Sequence, residues 1–333
     1  MSIEAIIDDA VVESISDGSY VRTLTLDGLS TIRNAAANIT QTLSTDITTD
    51  LNIKILKALG FDDLEITSLG IANINKIIGE SATMQTVTTY YQVDEATGNP
   101  TIITKDEFFS CPVDTIYSNN DTLAPLSNSN SGTTNFTANN FKTTILANYR
   151  PNYIRDDTGL DDGIAEDGWY TFIGQFTFYG SMPSTRSIDA ASLLIAPSVI
   201  AWGDYSSDFS STMVYTDSTG QSTTSYKATI DRQVEPEGFY YTWDLPNDNY
   251  FQDIDITGIT ISLQGNGRVS QYTQNCSFNI WARYEHIDTN FDIDFVWDET
   301  EEGIAAIIPD GVDITVEDDI ETYKSYILVN YNP

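Results

Sequence analysis

Phe278-Asn279-Ile280-Trp281-Ala282-Arg283-Tyr284-Glu285-His286 decides the fold class. Phe278, Ile280, Ala282 and Tyr284 fall on one side of an extended chain, and Asn279, Arg283 and Glu285 fall on the other. That two-residue period is the signature of a strand with one face in a core and one in water. The same texture recurs at 141–149, 169–179, 192–202, 211–215, 223–232, 239–243, 256–263, 291–297 and 323–331. Turn signals punctuate these segments: Asp167-Gly168, Ser218-Thr219-Gly220, Pro236-Glu237-Gly238 and Gly265-Asn266-Gly267, the last read as a hairpin turn. Many short strands at such spacing predict an antiparallel β-sandwich, jelly-roll-like, over residues 136–333. No strand–helix alternation is visible, so a parallel α/β sheet is not expected.

Upstream, residues 118–135 (SNNDTLAPLSNSNSGTTN) are small, polar and broken by Gly and Pro, which reads as a linker. Residues 1–117 then form an N-terminal region for assembly and attachment. It holds a short alternating strand at 20–26 and a hairpin of Met84 to Val93 with Thr101 to Thr104, turning at 96–100. Between them Leu29, Ile32, Ala36, Ile39, Leu43, Ile47, Leu51, Ile55 and Leu59 recur at steps of three or four. This is one narrow apolar stripe on a helix of about 29–59, with Gly60 as its left-handed cap. A stripe that narrow suits a coiled-coil seam, so Leu29, Ile32, Ala36, Ile39, Leu43 and Ile47 are the expected oligomer interface. The Thr-rich run from 42 to 56 also reads as strand. A second helix is expected at 69–78, stopped by Gly79.

Charge narrows the function. Asp and Glu total 49 against 15 Lys and Arg in 333 residues, a formal net of −34. A field of that sign repels phosphate backbones and excludes nucleic acid as a partner. No run approaches the ~18 apolar residues that span a bilayer, so membrane insertion is not expected. The opening MSIEAIIDDAVVESISDG has neither the basic nor the apolar part of an export signal. Cys111 and Cys276 stand too far apart to suggest a disulfide framework.

Enzyme chemistry finds little purchase. The single histidine, His286, ends a strand with no nucleophile motif beside it. Glycoside hydrolysis needs a focused carboxylate pair, and 49 acids single out none. No Gly-rich phosphate loop is present. No catalytic residue and no organic cofactor is expected. Structural Ca²⁺ is the one cofactor considered, since it takes several carboxylate and carbonyl oxygens. Asp156, Asp157, Asp161 and Asp162, in a loop with Gly159 and Gly163, are its expected ligands. Aromatic residues gather in the C-terminal half, and the loop 243–250 sets two of them among acids and amides. Trp243, Asp244, Asn247, Asp248 and Tyr250 there fit a glycan contact, a ring for the sugar face and polar groups for its hydroxyls.

The signal-less start, the stripe from Leu29 to Leu59, the linker at 118–135 and the aromatic β-rich module after it together resemble bacteriophage virion appendages: head fibres, tail fibres and decoration proteins. The segments 256–263 and 277–284 also look like late strands of the jelly-roll modules of lectins and capsids. The resemblance implies a non-enzymatic virion structural protein, made in the host cytoplasm without a signal peptide. It implies a homotrimer docked through its N-terminal part to other virion proteins, with the β-module facing host surface glycans. A jelly-roll capsid shell protein and a carbohydrate-binding or adhesin module remain the alternatives.

Overall fold

The computed structural model describes residues 2–40, 45–93, 100–110, 140–151, 153, 167–179, 188–195, 199–203, 209–217, 222–226, 232–235, 238–244, 256–270, 274–287, 293–298, 303–309 and 320–331. Helix α1 (Ile3–Ala10) starts on Ser2, whose Oγ accepts from the Ala5 N–H at 3.3 Å. Strands β1 (Val11–Ser16) and β2 (Ser19–Leu24) form a hairpin through Asp17-Gly18, both left-handed at φ 49 and 79. Four helices follow: α2 (Leu26–Thr40), α3 (Thr45–Ala58), α4 (Asp63–Leu69) and α5 (Ile71–Gly79). Gly60, at φ 99, ends α3 as expected. Its N–H reaches Lys57 O at 3.0 Å and the Phe61 N–H reaches Leu56 O at 3.1 Å, a Schellman closure. Then come β3 (Thr83–Val93), β4 (Pro100–Ile103), the short helix α6 (Lys105–Ser110), β5 (Asn140–Tyr149) and β6 (Trp169–Tyr179). The rest is strand: β7 (Ile188–Ile195), β8 (Ile200–Trp202), β9 (Phe209–Asp217), β10 (Ser222–Tyr226), β11 (Arg232–Glu235), β12 (Gly238–Asp244), β13 (Ile256–Val269), β14 (Cys276–Ile287), β15 (Ile293–Asp298), β16 (Gly303–Pro309) and β17 (Ile320–Tyr331).

Ten strands form one antiparallel sheet in the order β1-β2-β3-β5-β6-β13-β9-β10, with β4 on β3 and β8 on β13. Five form a second, β11-β12-β7-β14-β17, and β15 pairs with β16. The protein is mainly β, and its two large sheets make a sandwich. The core between them is aromatic. Phe141, Phe172, Phe176 and Phe178 from the large sheet meet Phe239, Phe278 and Tyr284 from the smaller one. The large sheet has a second covered face. Leu24, Met84, Leu146 and Ile173 on that side pack against Ile7, Leu29, Ile32, Leu51, Ile55 and Ile74 of the helices. The result is three layers: helices, large sheet, small sheet.

The structure differs from four expectations. Leu29, Ile32 and Ala36 are buried in the chain's own helical core, so this half of the stripe is no free seam for a partner. The stripe also divides between two helices, and α1 packs on both. The Ile39 and Ile47 side chains and Leu43 lie outside the described residues. The boundary at 117/136 does not divide the sheet, because β3 pairs with β5 along its length, Thr83 opposite Tyr149 through Gln92 opposite Asn140. Residues 118–135 lie outside the described residues. Gly265-Asn266-Gly267 is no turn: β13 runs straight through it, paired with β6 and β8. The segment 192–202 also splits, giving β7 to the small sheet and β8 to the large one.

Candidate functional site

β6 and β13 lie side by side with Gln175 opposite Ser262 and Thr177 opposite Thr260. Strand alternation sends most of their aromatic and aliphatic residues into the sandwich and their polar residues, with Ile173, toward the helices. Register turns those polar residues into rows across the sheet. Thr144, Gln175, Ser262 and Thr212 form one, and Asn148, Thr171 and Asn266 form a second. Such a face would normally be wet. Here α4 packs over β6, β9 and β13, and Thr171, Gln175, Thr177 and Thr260 are fully buried.

Buried polar groups need partners, and most find them within the layer. Gln175 Nε2 donates to Ser68 Oγ at 2.8 Å and to the Glu65 carbonyl at 2.9 Å. Thr177 and Thr260 share a hydrogen bond of 2.8 Å. Thr171 Oγ1 donates to Asn266 Oδ1 and accepts from Arg150 Nη1, each at 2.8 Å. Asn73 Nδ2 of α5 donates to Gln264 Oε1 at 2.7 Å. Along these rows Gln175 Oε1, Asn148 Oδ1 and Arg150 Nε remain without a protein partner among the described residues.

Between the two helices and strands β9 and β13 the layer opens into a cleft of about 380 Å³. Ser210, Thr212, Ser262, Gln264 and Asn266 supply its strand side; Ser68, Asn73 and Lys76 supply its helix side. Arg150 and Tyr153 add to the wall, and Leu69 and Ile77 give it a small apolar part. The Arg150 guanidinium lies 3.9 Å over the Tyr153 ring and pairs with Glu80. Burial lowers the Arg150 pKa to about 10, which leaves it charged at neutral pH. Because Arg150 covers the Tyr153 ring, that residue offers the cleft its hydroxyl, 3.4 Å from Asn266 Nδ2. Lys76 is exposed, and the lining contains no carboxylate among the described residues. The described lining therefore presents amides and hydroxyls that both donate and accept, with two cations, exposed Lys76 and the Glu80-paired Arg150. That suits an uncharged ligand with several hydroxyl groups, or one with a modest negative charge.

None of the metal or glycan residues picked from the sequence is among the described lining of the cleft. Asp156, Asp157, Asp161 and Asp162 lie outside the described residues, as do Asn247, Asp248 and Tyr250. Trp243 and Asp244 end β12, opposite Asp189 and Ile188 of β7. Among the described residues no group of three or more His, Cys, Asp or Glu is placed to hold a metal ion. No described helix is long and apolar enough to cross a membrane. The cleft residues of β13 had a signal in the sequence: Ser262, Gln264 and Asn266 continue an alternation of Thr260 with Ile259, Ile261 and Leu263. That pattern fits a wet face as well as a covered one, and only the packing of α4 distinguishes them.

The chain matches no protein-family model and no curated protein. Among solved structures it is similar to the collagen-binding subdomain of the Enterococcus faecalis surface protein ACE, at 4% identity and a TM-score of 0.26, covering 49% of this chain and 88% of that one. It is also similar to the collagen-binding domain of a Staphylococcus aureus adhesin, at 6% identity and a TM-score of 0.21, covering 46% and 86%. A third similarity is to Clostridium perfringens delta-toxin, at 10% identity and a TM-score of 0.19, covering 59% and 85%. Scores this low define no common fold, and the functional reading rests on the site alone.

Proposed function

We propose that this chain is a non-enzymatic binding module that holds a hydroxyl-rich ligand, a unit of a surface glycan, in the cleft between α5 and β13. One observation carries the reading: a lining of amides and hydroxyls held in place by their own hydrogen bonds, as Asn73 is to Gln264 and Asn266 to Thr171. Such preorganised groups meet a sugar's hydroxyls without first having to be ordered. A non-catalytic role is supported by the lining's chemistry, which among the described residues offers neither the carboxylate pair nor the base–nucleophile contact that hydrolysis or acyl transfer uses. A glycan array probed with the purified protein tests this. Retention of a defined set of glycans, weakened by Asn73→Ala, is expected; retention unchanged by substitutions in the cleft would place the site elsewhere.

The setting we propose is display on a phage particle as an appendage subunit. Its support is compositional: a strongly acidic chain at −34 with 19 Tyr, rich in Ser, Thr and Asn. Particles purified away from host debris should contain its peptides by mass spectrometry at a constant ratio to the major shell protein; peptides found only in the debris would contradict the assignment.

A further inference from the structure

Lys142 on β5 is 2% exposed and reaches into the helical layer rather than into water. Its Nζ donates to Glu65 Oε2 at 2.6 Å, to the Gly60 carbonyl at 3.0 Å and to Asp62 Oδ2 at 3.2 Å. Glu65 is fully buried, and its other oxygen accepts from Thr144 Oγ1 at 2.8 Å. Asp62 is the N-cap of α4. Its Oδ1 accepts the Glu65 backbone N–H at 2.9 Å, and its Oδ2 also accepts the Tyr179 hydroxyl. Phe108 packs between the rings of Tyr90 and Tyr179, at centroid distances of 4.9 and 5.5 Å. An amine nucleophile thus stands beside a carboxyl carbon, with a second carboxyl touching the amine, in a site from which water is largely excluded. Charged groups so placed are stable only while paired, and removing both charges relieves the desolvation they suffer.

We propose that Lys142 and Asp62 become joined by an intramolecular isopeptide bond, with Glu65 carrying the proton. Lys142 Nζ gives a proton to Glu65 and attacks Asp62 Cγ, forming the C–N bond. The Glu65 backbone N–H, already on Oδ1, holds the oxygen that becomes negative in the tetrahedral intermediate. The Cγ–Oδ2 bond then breaks and Oδ2 leaves as water, taking the protons released from Nζ through Glu65, while the Tyr179 hydroxyl steadies that oxygen. The balance is one ammonium and one carboxylate giving one amide and one water, with no oxidant, reductant or other reactant. Burial raises the Glu65 pKa, which suits a group that must accept and return a proton. Burial works to raise Asp62 as well, but the Lys142 charge together with the hydrogen bonds from the Glu65 N–H, the Tyr179 hydroxyl and Lys142 itself outweighs it and holds that carboxyl low until the amine is neutralised. The product keeps the helix cap, since the amide oxygen is the former Oδ1. It ties α4 to β5 and so locks the helical layer to the large sheet.

Intact mass spectrometry of the folded protein, run under denaturing conditions, tests this without a ligand. The expected mass is one water below the sequence mass, and peptide mapping should give a branched peptide joining Asp62 to Lys142. Lys142→Arg and Glu65→Gln should each restore the full mass. A cooperatively folded sample at full sequence mass would overturn the proposal. So would a water loss that maps to an Asp-Gly succinimide, at 17–18 or 167–168 for instance, or one that survives Glu65→Gln.

Discussion

At the scale of single residues, glycine carries the most consequential information. Gly265 and Gly267 lie inside the 14-residue strand β13, where glycine is ordinarily unfavourable. A Cβ on Gly265 would stand 2.4 Å from the Phe239 ring and 3.0 Å from Trp202, and one on Gly267 would stand 2.6 Å from Ile200. The strand gives up two side chains so that aromatic rings can close over its backbone. Gly265→Ala should therefore destabilise the protein by about 1–3 kcal/mol, as overpacked cores do, read as a lower urea midpoint at unchanged slope. Gly60 differs, because its φ of 99 disfavours any side chain and a methyl group there would stand 2.4 Å from the Arg22 guanidinium. Gly60→Ala should lower stability by about 1–3 kcal/mol in the same melts. Gly60 was legible in the sequence because a cap depends on its own helix. Gly265 was not, because the ring that requires it comes from another sheet.

At the scale of elements, periodicity told which faces were apolar but not what would cover them. The described part of the stripe, Leu29 to Ala36 and Leu51 to Leu59, is buried, but the single helix expected over about 29–59 is two, α2 and α3. A narrow stripe looks like a seam between chains, yet α1, α5 and the sheet residues Met84, Leu146 and Ile173 cover its described part within one chain. Those partners come from distant segments, which no local pattern could assign. Ile32→Ala should lower stability by about 2–5 kcal/mol by leaving a cavity, with no change of mass in light scattering. A lowered mass at unchanged stability would restore the seam between chains. The polar row on β13 poses the complementary ambiguity: its alternation fits a wet face as well as a covered one, and α4 makes it a buried one that ends in the cleft.

At the scale of the whole molecule, the β class and the sandwich were legible because they follow from many strands, each with its own alternation and turn signals. The helical third layer and the sheet shared across 117/136 were not, since they depend on pairings between distant segments such as β3 with β5. The aromatic core also sets how the molecule meets alkaline pH. Burial pushes the Tyr91 hydroxyl from 10 up to about 12, and burial likewise raises Tyr90, Tyr170 and Tyr179. The folded chain keeps protons that the unfolded chain releases, so this contribution is complete below pH 10 and is lost as pH climbs from 10 toward about 12. Alkaline titration should show the absorbance of these buried tyrosinates rising together with loss of near-ultraviolet circular dichroism. Full ionisation at pH 10 in a folded chain would contradict the packing.

The central claim is that the cleft between α5 and β13 binds a hydroxyl-rich ligand. Calorimetric titration of the best glycan from the array tests it most directly, using wild type, Asn73→Ala and Lys76→Ala on α5, and Tyr326→Ala on the exposed face of the small sheet. The account predicts that each α5 substitution weakens binding about tenfold, the loss of roughly one hydrogen bond to a polar ligand, while Tyr326→Ala leaves it unchanged. Equal affinity in all four proteins, or a loss confined to Tyr326→Ala, would contradict it.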